Sequence, residues 1–272
     1  MSVLEQMATI GLEDMKAVRL MNRVDQKYMA CVDQLEPLLE MIADQYNVQS
    51  TPANISPLTS HLSPFTSPYR TLYFDTPGLA MYTMHHNQKL NRQKIRVRTY
   101  RSTNTTFFEI KNKDNKKKTR KVRIPIDVAM FDSPADIPEV VSFVEKNTAY
   151  TFAPSLPQSL TPCLENRFSR ITLVDKALTE RITIDSGITF HNRATGIDAD
   201  ISRLMVIEVK HQVGAPMSAV ERALHQMHIQ PRRMSKYCIG TALTNPNVKH
   251  NRFKEKLLYI EKLTKDCCYK TH

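Results

Sequence analysis

Residues 94–100 read KIRVRTY, residues 105–113 read TTFFEIKNK and residues 119–126 read TRKVRIPI. Each stretch alternates apolar and polar residues with a period of two, which is typical of a half-buried β-strand. The polar positions carry mostly ionic side chains, among them Arg96, Arg98, Glu109, Lys111, Lys121 and Arg123. These stretches therefore predict neighbouring strands with one apolar face and one ionic face.

Two further stretches repeat this pattern. Residues 180–185 read ERITID and place Arg181 and Asp185 on one face. Residues 204–211 read LMVIEVKH and place Glu208 and Lys210 on one face, opposite the apolar residues Ile207 and Val209. In an ordinary antiparallel sheet the polar face is exposed to solvent. Here five predicted strands carry mainly charged side chains on that face, which is unusual.

The repeated ionic face has two interpretations. It could be a solvated outer surface, or it could line a tunnel inside a closed barrel of about eight strands. The repetition, and the excess of basic over acidic groups, favour the tunnel. Like charges confined there are costly unless a polyanion neutralises them. The interspersed acids Glu109, Asp185 and Glu208 would suit a hard divalent cation.

The rest of the chain adds further strands and several helices. About eight strands are predicted in all, with helices between and after them, including a C-terminal helix over residues 252–263. This pattern predicts the α+β class, with one domain over residues 1–272 built on a large antiparallel sheet or barrel. Residues 48–68 are rich in proline and serine and are predicted to form a mobile loop.

The composition narrows the function further. The chain carries 38 Lys and Arg against 27 Asp and Glu, a formal net charge of +11, which indicates a polyanionic partner. Neither common glycine-rich nucleotide-binding loop is present. No apolar run reaches the ~18 residues of a transmembrane helix, and no secretory signal is readable. The five cysteines include no C-x-x-C pair, and their odd number favours reduced thiols in the cytoplasm.

Seven short motifs follow one another along residues 15–245. They are Arg23-Val-Asp25-Gln-Lys27-Tyr28, Leu72-Tyr-Phe-Asp75, Lys94-Ile-Arg96-Val-Arg98-Thr-Tyr100, Phe108-Glu109-Ile-Lys111, Arg181-Ile-Thr-Ile-Asp185, Ile207-Glu208-Val-Lys210 and Ser235-Lys236-Tyr237. The series closely resembles the VTC domain, the polyphosphate polymerase module of the vacuolar transporter chaperone complex, which has stand-alone bacterial relatives. That domain belongs to the triphosphate tunnel metalloenzymes, together with the CYTH proteins.

The resemblance implies an eight-stranded antiparallel β-barrel forming a charged tunnel, in which basic side chains grip a phosphate chain. The implied catalytic residues are Lys27, Arg96, Arg98, Lys111, Lys121, Arg167 and Lys236. The expected substrate contacts are Arg181, Arg233 and Ser235, to which the ionic strand faces add Arg123 and Lys210. Glu208 matches the glutamate with which the family holds Mn²⁺ or Mg²⁺, with Asp185 or Glu109 as alternatives.

The match departs from the family pattern in two places. Arg23 and Asp25 stand where CYTH members have two glutamates. Glu165 stands two residues before Arg167, at a position where an aromatic residue is expected.

Three functions remain as hypotheses. The first is a metal-dependent polyphosphate polymerase that transfers the γ-phosphate of ATP to a growing chain. Such a transfer needs positioning and charge neutralisation rather than a nucleophilic side chain. The second is hydrolysis of inorganic or nucleoside triphosphates, if water enters the tunnel. The third is a non-catalytic binder of polyanions or nucleic acid. The expected partners are ATP, triphosphate and inorganic polyphosphate; nucleic acid and a transmembrane anchor are not expected.

Overall fold

The computed structural model describes residues 2–17, 23–50, 64–116, 118–148 and 159–266. The strands are β1 (Thr9–Ile10), β2 (Arg23–Cys31), β3 (Tyr46–Gln49), β4 (Ser67–Asp75), β5 (Arg92–Tyr100), β6 (Thr105–Lys113), β7 (Thr119–Ile126), β8 (Thr161–Asp175), β9 (Glu180–Asn192), β10 (Asp198–Ile201) and β11 (Leu204–Gln212). The helices are α1 (Val3–Gln6), α2 (Leu35–Ile42), α3 (Ala80–His86), α4 (Pro138–Asn147), α5 (Ala219–Gln226), α6 (Lys236–Thr244) and α7 (Lys254–Asp266).

The strands form one sheet with helices against it, as predicted. Eight strands follow one another in the order β2-β11-β9-β8-β4-β5-β6-β7, and each neighbouring pair is antiparallel. Within the described residues, however, the end strands β2 and β7 do not pair with each other. The predicted closed barrel is therefore wrong, because alternation along a strand determines its two faces but not whether the outermost edges join.

The predicted number of eight strands is also wrong for the whole sheet, which has 11. Of the three additional strands, β10 pairs with β9, β3 pairs with β8, and β1 pairs with β3 in parallel. They find partners because β8 and β9 are 15 and 13 residues long and extend beyond their main neighbours. Very short strands such as β1 leave too little alternation to be predicted from sequence.

Apolar side chains fill the space between the sheet and the helices. One cluster packs α2 and α5 against β9 and β11, and another packs α4 against β5 and β6. A third cluster surrounds α6 and includes residues of α3 and α7. Because the helices cover the apolar faces, the ionic faces of the strands are left to line a separate space.

Helix α6 lies very close to the sheet. A Cβ atom added at Gly240 would overlap the ring of Phe190 on β9 and the side chain of Leu164 on β8. Glycine therefore allows the close approach that brings the first residues of α6 to the sheet. Ser235 caps this helix, with its Oγ accepting a hydrogen bond from the Cys238 N–H at 3.3 Å.

Several smaller expectations have mixed outcomes. The C-terminal helix predicted at 252–263 is confirmed as α7. Of the predicted loop 48–68, the first two and last two residues belong to β3 and β4, while 51–63 lie outside the described residues. Cys163 and Cys238 are free, as expected, but Cys31 is disulfide-bonded, so the prediction of reduced thiols is wrong there. Over the described ranges, none of the helices has the length and apolar character needed to cross a membrane.

Candidate active site in the concave face of the sheet

The ionic faces of the strands line a cavity of about 1180 Å³. All five faces identified from the sequence contribute to it, through Arg96 and Arg98, Phe107 and Lys111, Lys121 and Arg123, Arg181 and Asp185, and Glu208 and Lys210. The strands β2, β4 and β8 add Lys27, Tyr69 and Arg170. The interpretation of the ionic faces as an inward lining is therefore confirmed, although the sheet around them is open.

The lining is strongly basic. Among the described residues, eleven Lys or Arg side chains line the cavity, whereas the acidic lining residues are Asp25, Asp185 and Glu208. An excess of this size in an enclosed space is a strong attraction for anions, because a partly enclosed site is screened less than an open surface.

Glu208 lies between two lysines. It pairs across β11 and β2 with Lys27, whose Nζ contacts its carboxylate, and Lys210 on the same strand lies 2.5 Å from the other oxygen. Burial opposes ionisation of Glu208, but the two ammonium groups overcome it and hold the pKa of this carboxyl well below its usual range. Glu208 is therefore an ionised carboxylate that faces the cavity.

Glu109 is held in a similar way on the neighbouring part of the sheet. Arg96 lies opposite it on β5 and donates from Nε to a carboxylate oxygen at 2.7 Å, while Lys121 on β7 contacts the other oxygen. Glu109 is only 1% exposed. Burial raises its pKa, yet the charges of Arg96, Arg98 and Lys121 lower it to about 2 overall.

Asp185 is the third shared carboxylate. It lies opposite Arg170, whose guanidinium donates two hydrogen bonds of 2.6 and 2.8 Å to its two oxygens. Lys236, the first residue of α6, contacts the same carboxylate. The approach of α6 to the sheet therefore brings a lysine into the cavity from outside the sheet.

Lys94, Arg98, Lys111 and Arg123 line the cavity and form no ion pair among the described residues. Arg98 donates to the Thr71 hydroxyl at 3.1 Å and lies over the rings of Tyr69 and Phe168. Lys94 donates to Ser235 Oγ at 2.8 Å. Burial lowers the pKa of Lys94, and enclosure in the cavity together with repulsion from Lys94 and Arg96 lowers the pKa of Lys111 to about 8. These cations carry uncompensated charge that an anion would stabilise.

Three predicted site residues do not line the cavity: Arg233, Arg167 and Glu109, the last of which is buried beneath Arg96 and Lys121. Arg233 is exposed just before α6. The side chain of Arg167 is 62% exposed and donates to Glu165 at 2.9 Å outside the cavity. Opposite β4 the strand β8 alternates regularly, so Arg167 and Arg170, which are three residues apart, lie on opposite faces; the irregularity in the β8–β9 register adds a residue on β9.

Arg170 takes the place in the cavity that was predicted for Arg167. Phe168 stands two residues before it, so the aromatic residue missing before Arg167 is present at the shifted position. The motif match selected Arg167, and Arg170 was missed although its position three residues further along the strand places it on the other face. Lys94 was also missed, although its place two residues before Arg96 on the same strand face could have identified it.

A divalent metal ion would have to share its coordination with a ligand. The described residues contain no group of three or more His, Cys, Asp or Glu side chains that could enclose a metal by themselves. Mg²⁺ commonly binds through one or two carboxylates, water and the oxygens of a bound phosphate. Glu208 lines the cavity with 18% of its side chain exposed and fits such a shared site, whereas Glu109 is 1% exposed and does not line the cavity.

Comparison with known proteins gives one family. The family model of the VTC domain matches residues 22–245, which is most of the chain. This confirms the resemblance predicted from the seven motifs. No curated protein matches the sequence.

Several solved structures are similar at low sequence identity. A candidate adenylate cyclase from Bacillus halodurans is 12% identical over 79% of this chain and 94% of its own, with a TM-score of 0.47. A candidate adenylyl cyclase from Hippeastrum, described as having a dominant triphosphatase activity, is 14% identical over 82% and 97%, with a TM-score of 0.45. A candidate adenylate cyclase from Vibrio parahaemolyticus is 12% identical over 81% and 99%, with a TM-score of 0.44. These likenesses are too distant to carry a functional conclusion.

Proposed function

Because this chain belongs to the VTC domain family and is thus a phosphotransferase or triphosphatase, we propose that it is a polyphosphate polymerase. In this proposal it transfers the γ-phosphate of ATP to a growing inorganic polyphosphate chain held in the cavity. The observation that carries the proposal is the lining itself, in which eleven basic residues face three acidic ones. A phosphate chain is a flexible polyanion that could neutralise many of these charges at once.

The residues divide by their contacts into two roles. Arg98, Lys94 and Lys111 form no ion pair within the described part of the chain, so they would bind phosphate oxygens without first releasing a carboxylate. Arg96, Arg170 and the lysines beside Glu208 are already oriented by carboxylates, which fixes their direction before the substrate binds. Positioning and charge neutralisation are what phosphoryl transfer chiefly needs, and guanidinium groups suit bidentate contacts to phosphate.

Glu208 would hold Mn²⁺ or Mg²⁺ in this proposal, together with phosphate oxygens of the substrate. A bound divalent cation supplies Lewis-acid polarisation of a phosphoryl oxygen and bridges phosphate groups. Lys27 and Lys210 keep the Glu208 carboxylate ionised, so that it can bind a cation without first losing a proton.

A triphosphate hydrolase is the second candidate, and one observation favours it. Within the described residues the end strands β2 and β7 are not hydrogen-bonded to each other, so the described strands do not form a continuous wall around the cavity. Water that reaches the γ-phosphate would compete with the end of a polyphosphate chain as the acceptor. Both reactions would use the same cations, so the acceptor alone distinguishes them.

The deciding experiment is incubation of the protein with γ-labelled ATP and Mn²⁺, followed by gel analysis of the labelled products. Long-chain phosphate that resists nucleases is the expected product of a polymerase. Label that appears only as orthophosphate would identify a hydrolase, and the absence of both would indicate a binder. A binder can be tested further with duplex DNA. Because a duplex is much wider than a phosphate chain, it should raise the melting temperature less than polyphosphate does if binding occurs inside the cavity.

A further inference from the structure

The cavity has two chemically different ends. Toward the beginning of β5 its lining is ionic, with Lys94 and Arg96 on that strand. The β5–β6 hairpin forms the other end, where the lining residues between positions 100 and 107 are all uncharged: Tyr100, Ser102, Thr103, Thr105 and Phe107. Hydroxyl groups can donate hydrogen bonds to phosphate, but the aromatic rings at this end offer a phosphate group no comparable contact. A ligand with an organic part attached to its phosphates would fit both ends.

Tyr100 contributes an aromatic ring to this end of the cavity. Its side chain is half-buried and lines the cavity. Its two aromatic neighbours are tilted against it: Tyr69 at a centroid distance of 5.0 Å and 59°, and Phe107 at 5.9 Å and 89°. Among the described residues, therefore, no aromatic ring stacks in parallel on Tyr100.

The neighbouring rings of Tyr69 and Phe107 each have another ring or a cation stacked against them, and among the described residues Tyr100 has neither. Tyr69 stacks on Phe168, with 9° between the ring planes, and Arg123 lies over Phe107 at 4.2 Å from the ring centroid. Tyr69 and Phe107 thus have positions that follow from packing and from holding cations. Among the described residues Tyr100 makes neither a parallel ring stack nor a cation–π contact, so its half-buried ring in the cavity lining is the aromatic group available to a ligand.

The spacing along β5 matches a nucleoside triphosphate. Lys94, Arg96, Arg98 and Tyr100 all line the cavity from one face of the strand. Successive residues on one strand face are about 6.6 Å apart, so Tyr100 lies about 20 Å from Lys94. A triphosphate along the three cations would place the group attached to its α-phosphate beside Tyr100. Nucleobases stack on such rings with little dependence on their identity.

We propose that Tyr100 is the stacking platform for the base of a nucleoside triphosphate, whose phosphates lie along β5 with the γ-phosphate toward Lys94. The hydroxyl groups of Ser102, Thr103 and Thr105 are the polar groups available at this end to the ribose and the edge of the base. The inference rests on the proposed function, in which ATP is the phosphate donor. It adds where the nucleoside binds and in which direction the triphosphate points.

Calorimetric binding of ATP and of inorganic tripolyphosphate, without divalent metal so that no turnover occurs, tests this platform. Tyr100→Leu removes the aromatic face but keeps an apolar side chain against Tyr69. We expect it to weaken ATP binding about tenfold and to leave tripolyphosphate binding within twofold. Tyr100→Phe should bind both ligands like the wild type, because the ring face is retained.

A matched control is Tyr259→Leu, which alters a partly exposed tyrosine beside Arg232, away from the cavity lining. It should affect neither ligand. The inference is overturned if Tyr100→Leu weakens both ligands equally, since the ring would then act only through the cations, or if ATP binding does not change. Wild-type protein that binds tripolyphosphate but not ATP overturns the inference while the basic site stands. Wild-type protein that binds neither overturns the proposed function as well.

Discussion

Two regions of this molecule surround a buried carboxylate with cations, one outside the cavity and one inside. Outside, Glu165 accepts hydrogen bonds from Arg70, Arg167 and Arg193 at 2.6 to 3.0 Å. Arg193 also donates to Asp132 at 2.8 Å. Three cations and two carboxylates therefore nearly balance one another, and no cation of this outer cluster lines the cavity.

Inside, the carboxylates are shared in the same way but the balance is different. Glu208, Glu109 and Asp185 each contact two cations, while Arg98 and Lys111 form no ion pair in the described part of the chain. The comparison shows that a cluster of ion pairs does not by itself indicate function. The distinguishing property is the positive charge that remains once the internal pairs are counted.

The largest expected difference between the two regions is in turnover after removal of a carboxylate charge. Glu208→Gln should lower Mn²⁺-dependent turnover by two orders of magnitude or more, about 3 kcal/mol of transition-state stabilisation. Binding of polyphosphate should persist, because Lys27 and Lys210 are then less neutralised. A titration of turnover with Mn²⁺ measures the effect, and an unchanged curve would show that Glu208 is only a counter-ion.

The next difference separates two arginines of the same strand. Arg170→Ala should reduce turnover by about 2–3 kcal/mol in transition-state terms, because it removes a charged donor from the cavity. Arg167→Ala should stay within about twofold of the wild type, since Arg167 lies in the outer cluster. Steady-state kinetics of both variants test directly which face of β8 lines the cavity. A larger loss for Arg167→Ala would mean that the family motif, rather than the observed alternation along β8, gives the correct position.

Much of this site could be predicted from the sequence, because strand alternation is a local property. Arg96 and Arg98 are two residues apart, so they share a face whatever the rest of the fold does. The same reasoning placed Lys111, Lys121, Arg181 and Glu208 correctly on the ionic face. Arg167 was assigned to the cavity by the resemblance and not by alternation, and it lies on the opposite face of β8 from Arg170.

The closure of the sheet could not be predicted for a different reason. Pairing between β2 and β7 would be a contact between strands about 90 residues apart, and it depends on how strongly the intervening strands twist and curve. The resemblance also identifies Lys236, but the sequence does not show how this lysine reaches the cavity. The helix α6 that carries it depends on the close approach to the sheet at Gly240.

The third prediction concerns stability in the outer cluster. Burial opposes the ionisation of Glu165, but the hydrogen bonds from Arg70 and Arg167 lower its pKa to about 2. Because the folded-state pKa is depressed, this stabilisation is present above the unfolded value near pH 4.5 and is lost as the pH falls toward 2. Glu165→Gln should cost about 2 kcal/mol of unfolding free energy at pH 7 and leave turnover within twofold.

Thermal and urea unfolding of the wild type and of Glu165→Gln between pH 3 and 7 check this expectation. The variant should lose less stability on acidification than the wild type does, because the titrating carboxylate is absent. Glu208→Gln provides the matched comparison inside the cavity. If Glu165→Gln impairs turnover as strongly as Glu208→Gln does, the separation of a structural cluster from a functional one is wrong.

The smallest expected effect is the pH dependence of ligand binding, which only the inner region should show. Burial is the largest cause that lowers the pKa of Lys121 and of Lys210 to about 8, and Lys111 has a similar value. These lysines must be protonated to attract phosphate, so affinity for tripolyphosphate should be constant below pH 7.5 and fall as the pH rises through 8. We expect about a tenfold loss by pH 9.5, because a bound anion raises the lysine pKa values and each remaining proton must then be taken up on binding.

Lys111→Arg keeps its charge throughout this range, since a guanidinium does not deprotonate, and its binding curve should be flatter. Calorimetric titrations at half-unit steps measure both curves. Equal slopes for the wild type and Lys111→Arg would mean that Lys111 does not contribute to binding, and a flat wild-type curve would mean that the cavity lysines do not bind the ligand.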